Sequence, residues 1–418
     1  MFKFLRIYVI LSLLLFAMVI AGAPGIHYIF YILFVYCINM GLKEKFPLNP
    51  YYIFAASLFS LIIYNSKISV FLIDIPIEVY ILIFMGISSF LFGMILVDKT
   101  LKKTEPYKKT KGKSSYKKMF WIFLFLGLIP HIIGFLKVGI PILNQINFIK
   151  TTDSYLPQGL SYFIFFLPLT IIIGFANKNK RFILLSIFLN GFLSIVRVAK
   201  FDILIFATFL IFSYLKYGKK KSENKKQVML MSTFLSIPFI FDWFYNLRFK
   251  ENSVSSQFLL TDISSSLSNA ISLPYLYFTS GWSNLTQTIL TVSEFNYGSY
   301  TLYPFISALQ LDDLISYSSE KVIYKHPFNT WAFFTDYYMD FGIFGIIIIP
   351  FFIGLIVFYS YRKSIMAANP IKDGQFLILA IPTLLLFFSN HFTSVGYPFI
   401  VYILYGILGF LFSMRIKR

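Results

Sequence analysis

Of 418 residues, 57% are hydrophobic, 20% aromatic and 13% charged, which excludes an ordinary soluble domain, where about half are apolar and about a quarter charged. The formal net charge of +19 does not indicate nucleic acid. The basic residues cluster in short gaps between apolar runs, as in Lys108-Lys109-Thr110-Lys111-Gly112-Lys113 and Lys219-Lys220-Lys221, the distribution that orients membrane helices.

In chain order, apolar runs predict transmembrane helices at 4–22, 26–41, 50–65, 77–97, 119–139, 159–176, 182–196, 201–217, 228–245, 341–361, 374–390 and 397–414. A spanning helix needs about 20 mostly apolar residues and satisfies its own backbone polar groups in lipid. The alternation of a β-barrel is not seen. The expected fold is therefore one all-α polytopic membrane domain over 1–418, with about twelve spans. Ala21-Gly22-Ala23 has the form of a signal-peptidase site, but the run before it is long for a signal peptide, so the first span is expected to be retained. Cys37 falls in the second run. As the single cysteine, it excludes a disulfide framework and a cysteine zinc site. Pro130 and Pro238 lie within spans and are expected to kink them. No internal repeat of the kind common in transporters is present.

With the N-terminus inside, 28 of the 37 basic residues fall on the inner side, leaving 9 basic and 13 acidic residues outside. Both termini are then cytoplasmic and the protein is a multi-pass protein of the plasma membrane. The Lys-rich loop 98–118 is an inner tether near anionic headgroups. The stretch 247–328 is the one large outer loop. Its aromatic, amphipathic composition predicts short helices lying on the outer leaflet as a lid over the bundle.

The few outer cations are candidates for an anionic partner at headgroup depth. Arg197 and Lys200 occupy a tight turn followed by Asp202, and Arg248 and Lys250 follow the ninth span. Guanidinium forks match phosphate oxygens, and a local Arg197–Asp202 pair is the structural alternative. All four histidines, His27, His131, His326 and His391, lie in the outer half without zinc-ligand spacing. His326 and His391 suit a general base, since imidazole titrates near neutrality. If the chain is helical from Asn329, then Asn329, Phe333, Asp336 and Asp340 share one face. Such carboxylates can bind sugar hydroxyls, activate an acceptor or hold a divalent cation, or they simply favour a helix start. Asn284-Leu285-Thr286 is a glycosylation sequon on the outer side.

The run Asn329-Thr330-Trp331-Ala332-Phe333-Phe334-Thr335-Asp336-Tyr337-Tyr338-Met339-Asp340-Phe341-Gly342, continuing through Pro350 and Gly354 to Tyr361-Arg362, resembles the late segment of Wzy-type oligosaccharide repeat-unit polymerases, or O-antigen polymerases. Arg197 in a short outer turn, Ser280-Gly281-Trp282 and Tyr297-Gly298-Ser299-Tyr300-Thr301-Leu302-Tyr303-Pro304 follow the same order. The resemblance covers about half the chain, from the seventh span onward. It implies a membrane glycosyltransferase that joins polyprenyl-diphosphate-linked repeats at the outer face, without nucleotide sugar or soluble cofactor; no metal-ligand set is assigned. It also implies lipid-linked oligosaccharide substrates, and a flippase and chain-length regulator as pathway partners. Arg197, Lys200, Arg248 and Lys250 then stand as diphosphate-binding candidates. His326, Asp336 or His391 orients or deprotonates the acceptor, Asn329 and Asp340 line the same face, and Trp282 and Trp331 stack on sugar or anchor at the interface. A ligase of similar design and a lipid-linked oligosaccharide flippase are the rival readings.

Overall fold

The computed structural model describes residues 27–44, 46, 48–65, 72–101, 115–140, 160–197, 200–218, 269–311, 313, 315, 317–318, 320–323, 330–367, 369–393 and 397–414. Every described element is helical. They are α1 (His27–Lys43), α2 (Pro50–Tyr64), α3 (Ile77–Thr100), α4 (Ser115–Val138), a 3-10 turn (Leu160–Phe165) leading into α5 (Phe166–Asn177), α6 (Lys180–Val196), α7 (Lys200–Tyr217), α8 (Asn269–Thr291), α9 (Tyr303–Ala308), α10 (Phe334–Met366), α11 (Pro370–Leu384) and α12 (Tyr397–Met414). Three helical stretches, Ile77–Thr100, Tyr116–Val138 and Phe334–Met366, are long and apolar enough to cross a membrane by length and composition. Ten of the expected apolar segments coincide with described helices; 4–22 and 228–245, with Pro238, lie outside the described residues.

Local chemistry places the helix starts. Asn49, Asn179 and Asn369 each cap a helix, accepting from the backbone N–H groups of Tyr52, of Arg181 and Phe182, and of Ile371 respectively. Pro50 and Pro370 follow two of these caps, where a missing N–H is harmless. Buried hydroxyls inside the apolar helices bond back to carbonyls one turn earlier, as in Ser194 to Asn190, Ser213 to Phe209 and Thr383 to Leu379, so no extra partner is required in lipid.

The axis of the bundle is the packing of α3 against α10. A Cβ on Gly93 would lie 2.2 Å from the carbonyl oxygen of Phe351, and one on Gly354 would lie 2.2 Å from that of Phe90. Each glycine thus lets the facing backbone approach, the small-residue device of membrane helix pairs. Around this contact lies a fully buried aromatic core, with Phe54 stacked on Phe90 at 4.6 Å and Phe333 edge-on to Phe90 and Tyr337.

Two features differ from the sequence reading. One break was not foreseen from the sequence, which placed kinks only at Pro130 and Pro238: α10 is broken at Gly342, with φ 58° and ψ −139°. Only glycine adopts that conformation readily, and a Cβ there would meet Phe295 at 2.8 Å. Residues 334–341 therefore form a short helix set at an angle on the long apolar one. The second change concerns the lid. α8 runs for 23 residues, and Thr279, Ser280, Trp282, Ser283, Asn284, Thr286 and Thr288 are all buried. It is not a short surface helix. Trp282 Nε1 donates to Ser60 Oγ at 2.9 Å, Ser283 Oγ lies 2.9 Å from the Tyr64 hydroxyl, and Asn284 Nδ2 donates to the Thr330 carbonyl at 2.6 Å. A polar helix face that finds polar partners inside the bundle has no reason to lie on its surface.

The end of the bundle opposite Asp336 carries two ion-pair clusters. Arg362 makes a fork with Glu44 at 3.1 and 2.8 Å and also pairs with Asp98, while the Tyr361 hydroxyl donates to Glu44 at 3.0 Å. Lys216, Tyr217 and Ser364 all donate to the buried Asp373 carboxylate. The basic residues expected in solvated inner loops are thus partly structural, clamping α10 to α3 and α7 to α11.

Candidate functional site

Four chain segments converge at the start of α10. Ala332 N–H donates to the Gly281 carbonyl of α8 at 3.1 Å, and Phe333 N–H donates to Leu386 in the turn after α11 at 2.7 Å. The helix consequently begins at Phe334 rather than at Asn329, and Asn329 itself lies outside the described residues. Asp336 and Asp340 remain one turn apart, 1% and 0% exposed.

The two carboxylates do different work. Asp340 accepts the backbone N–H groups of Tyr300 and Thr301 at 3.1 and 2.6 Å, and Tyr297 N–H donates to its carbonyl at 3.1 Å. Asn296 adds bonds to the Met339 carbonyl and, through its side-chain oxygen, accepts from Ser318 N–H at 2.7 Å. Asp340 therefore holds the 296–301 turn in place instead of presenting oxygens to a ligand. Asp336 is ion-paired with Lys321 at 2.5 Å and accepts from the Thr393 hydroxyl.

Lys321 Nζ also lies 4.7 Å from the centroid of Tyr300 and 5.3 Å from that of Trp331, a cation between two aromatic faces. Trp331 Nε1 donates to the Val322 carbonyl at 3.0 Å, which fixes the indole as a wall for the ammonium. Burial pushes the Tyr300 phenol above its usual range, with the Asp336 charge adding to the effect. Beside this constellation, Ser293, Glu294, Phe295, Asn296, Tyr297, Ser299 and Ser318 line an open cavity of about 510 Å³. Tyr297 projects there, 83% exposed and at φ 47°, an uncommon conformation for a bulky residue.

A second corner adjoins the first through the turn after α11. Arg197 pairs with Asp202 at 2.5 Å, the local alternative foreseen from the sequence. Near them His131, Asn190, Ser194 and Asp202 line a cavity of about 20 Å³, room for about one water. His391 stacks on Phe201 at 4.8 Å and Phe388 lies 6.2 Å away, while Thr393 in the same turn reaches Asp336. Neither ring nitrogen of His391 has a hydrogen-bond partner among the described residues. Burial lowers its pKa to about 4, so the imidazole is neutral at neutral pH.

The structure thus joins Asp336, Asp340 and Trp331; His391 lies in the turn that carries Thr393 to Asp336 and stacks on Phe201, next to the Asp202 that holds Arg197. Trp282 is 2% exposed with its N–H taken, which removes it from sugar stacking. Asn284 of the sequon is enclosed at 2% exposure, which leaves no room for a glycan. Lys200 starts α7, but its side chain, like His326, Arg248 and Lys250, lies outside the described residues. Sequence reasoning missed Lys321, Thr393 and Asn296. A signal existed for Lys321, since it is one of the nine cations that the charge count assigns to the sparsely basic side; its partner Asp336 is fifteen residues away, a pairing no helical spacing suggests. Among the described residues no group of His, Cys, Asp and Glu is arranged to hold a metal ion. Comparison with protein-family models, curated proteins and solved structures found no match to this chain.

Proposed function

We propose that this chain is a multi-pass plasma-membrane glycosyltransferase that polymerises polyprenyl-diphosphate-linked oligosaccharide repeats, with the Asp336 end of the bundle facing outward. The observation that carries this reading is the pairing of buried Asp336 with the partly exposed Lys321 beside a polar, tyrosine-edged cavity, formed by the segments whose residues resemble the repeat-unit polymerases. Hydroxyls, amides and aromatic rings are the groups that bind sugars. A carboxylate and a cation at headgroup depth are the groups that glycosyl transfer from a lipid diphosphate needs.

In this reading the terminal sugar hydroxyl of the incoming repeat attacks the anomeric carbon of the growing chain. The new C–O bond forms as the bond from that carbon to the lipid diphosphate breaks, and the electron pair leaves with the diphosphate. Arg197 and Lys321 offset the developing charge. As Lys321 shifts toward the diphosphate, Asp336 is released to take the hydroxyl proton. Asp340 and Asn296 position the wall of the sugar cleft. The expected pathway partners are a flippase and a chain-length regulator.

Deletion followed by glycan analysis tests the proposal. Loss of long polymer with single lipid-linked repeats retained at the outer face is the expected result. Repeats held at the cytoplasmic face would instead mean a flippase, and full-length polymer left on its lipid carrier would mean a ligase. Asp336→Asn and Lys321→Met, expressed at wild-type level, should each reproduce the loss of long chains.

A further inference from the structure

At the end of the bundle opposite Asp336, a cavity of about 230 Å³ lies between α10, α11 and α12, lined by Tyr359, Ser360, Lys363, Lys372, Gln375 and Tyr402. No acidic residue lines it. Arg362 and Lys216, at the same end, are committed to Glu44, Asp98 and Asp373. Lys363 and Lys372 have no ion pair among the described residues; Lys363 lies 5.3 Å from the Tyr359 ring. Asp373, next in sequence to Lys372, is taken by Lys216, Tyr217 and Ser364. The polar wall is linked by hydrogen bonds. Ser360 Oγ donates to the Tyr402 hydroxyl at 3.2 Å and Gln375 Nε2 to the Tyr402 carbonyl at 3.0 Å.

The surroundings of the mouth indicate the occupant. Along α10, Ile348, Phe352 and Tyr359 are exposed at 49, 54 and 40% and fall on one face with Lys363 by their spacing. On α12, Ile403 and Ile407 beside Tyr402 are exposed at 52 and 51%. An apolar stripe that ends in two lysines and a hydroxyl-lined cavity matches acyl chains that end in a phosphate. A soluble anion would make no use of the stripe. Basic pockets between helices at the cytoplasmic side are a known form of headgroup site.

We propose that this cavity binds the phosphate headgroup of an anionic membrane phospholipid, between Lys363 and Lys372, with its acyl chains along the exposed faces of α10 and α12. The proposal rests on the membrane reading and is independent of glycosyl transfer.

The test is native mass spectrometry of the full-length protein, purified in detergent and titrated with phosphatidylglycerol or with phosphatidylcholine of the same chains. Phosphatidylglycerol is expected to bind selectively, and Lys363→Gln/Lys372→Gln to weaken it about thirty-fold, from two surface lysines. Lys372→Gln alone should weaken it about five-fold. Lys99→Gln/Lys180→Gln, which removes two exposed charges elsewhere at this end, should bind as the wild type does, and Lys363→Arg/Lys372→Arg should retain binding. Equal binding of the two lipids, unchanged binding in the glutamine variants, or equal loss in the remote pair overturns the site. Full competition by soluble glycerol phosphate overturns the lipid assignment in favour of a free phosphate ester.

Discussion

The Lys321–Asp336 pair makes an asymmetric prediction. Asp336 is 1% exposed and its remaining partner is the Thr393 hydroxyl, whereas the Lys321 side chain is 18% exposed. Lys321→Met leaves a carboxylate buried without its cation, which costs about 3–5 kcal/mol. Asp336→Asn removes the buried charge, keeps an acceptor for Thr393, and leaves an ammonium that can turn to water, at about 1–2 kcal/mol. In Lys321→Met/Asp336→Asn neither charge remains, so the double variant should be more stable than Lys321→Met alone. The cycle should yield a coupling of roughly 2–3 kcal/mol. Thermal unfolding of detergent-purified protein, followed by tryptophan fluorescence, reads these as melting-temperature shifts, with Lys321→Met roughly 3–6 °C below wild type. The reasoning is refuted if Lys321→Met costs no more than Asp336→Asn, or if the double variant loses the sum of the two.

Three further outcomes follow from the same structure. Because burial holds His391 at about 4, below the ordinary value of about 6.5, the unfolded chain binds the extra proton between those values. Stability should fall as pH drops through that window, by up to about 3 kcal/mol, and His391→Phe should flatten the dependence of melting temperature on pH. Gly354→Ala sets a methyl 2.2 Å from the Phe90 carbonyl oxygen and should cost about 1–3 kcal/mol in the same melting assay. Arg362→Met strands Glu44 and Asp98 and should cost about 3–5 kcal/mol, whereas Lys363→Met should leave stability within about 0.5 kcal/mol.

Hydropathy alone placed most of the helices, since a run of apolar residues has few other stable forms; the run at 50 began where α2 begins, whereas the run at 374 missed the first turn of α11, which starts at Pro370 behind the Asn369 cap. Composition failed for α8, whose serines, threonines and asparagines read as surface until Ser60, Tyr64 and Thr330 are brought against them. The Asp336 and Asp340 pair was visible as a one-turn spacing. Their separate tasks were not, because these depend on Lys321 and Thr393 in one case and on the Tyr300 and Thr301 backbone in the other.

The sequence by itself determined that the chain is helical and membrane-like, that its basic residues cluster in the gaps between apolar runs, and that the segment around Asp336 is chemically unusual. These are properties of composition and local period. Only the tertiary structure decided that Trp282 and Asn284 are enclosed, that Asp340 is a structural clamp, that α10 breaks at Gly342, and that Lys363 and Lys372 face an acid-free cavity. Each of these turns on which distant side chains share a buried volume. Burial and pairing across the bundle, not residue type, set what a charge or an aromatic ring can do there.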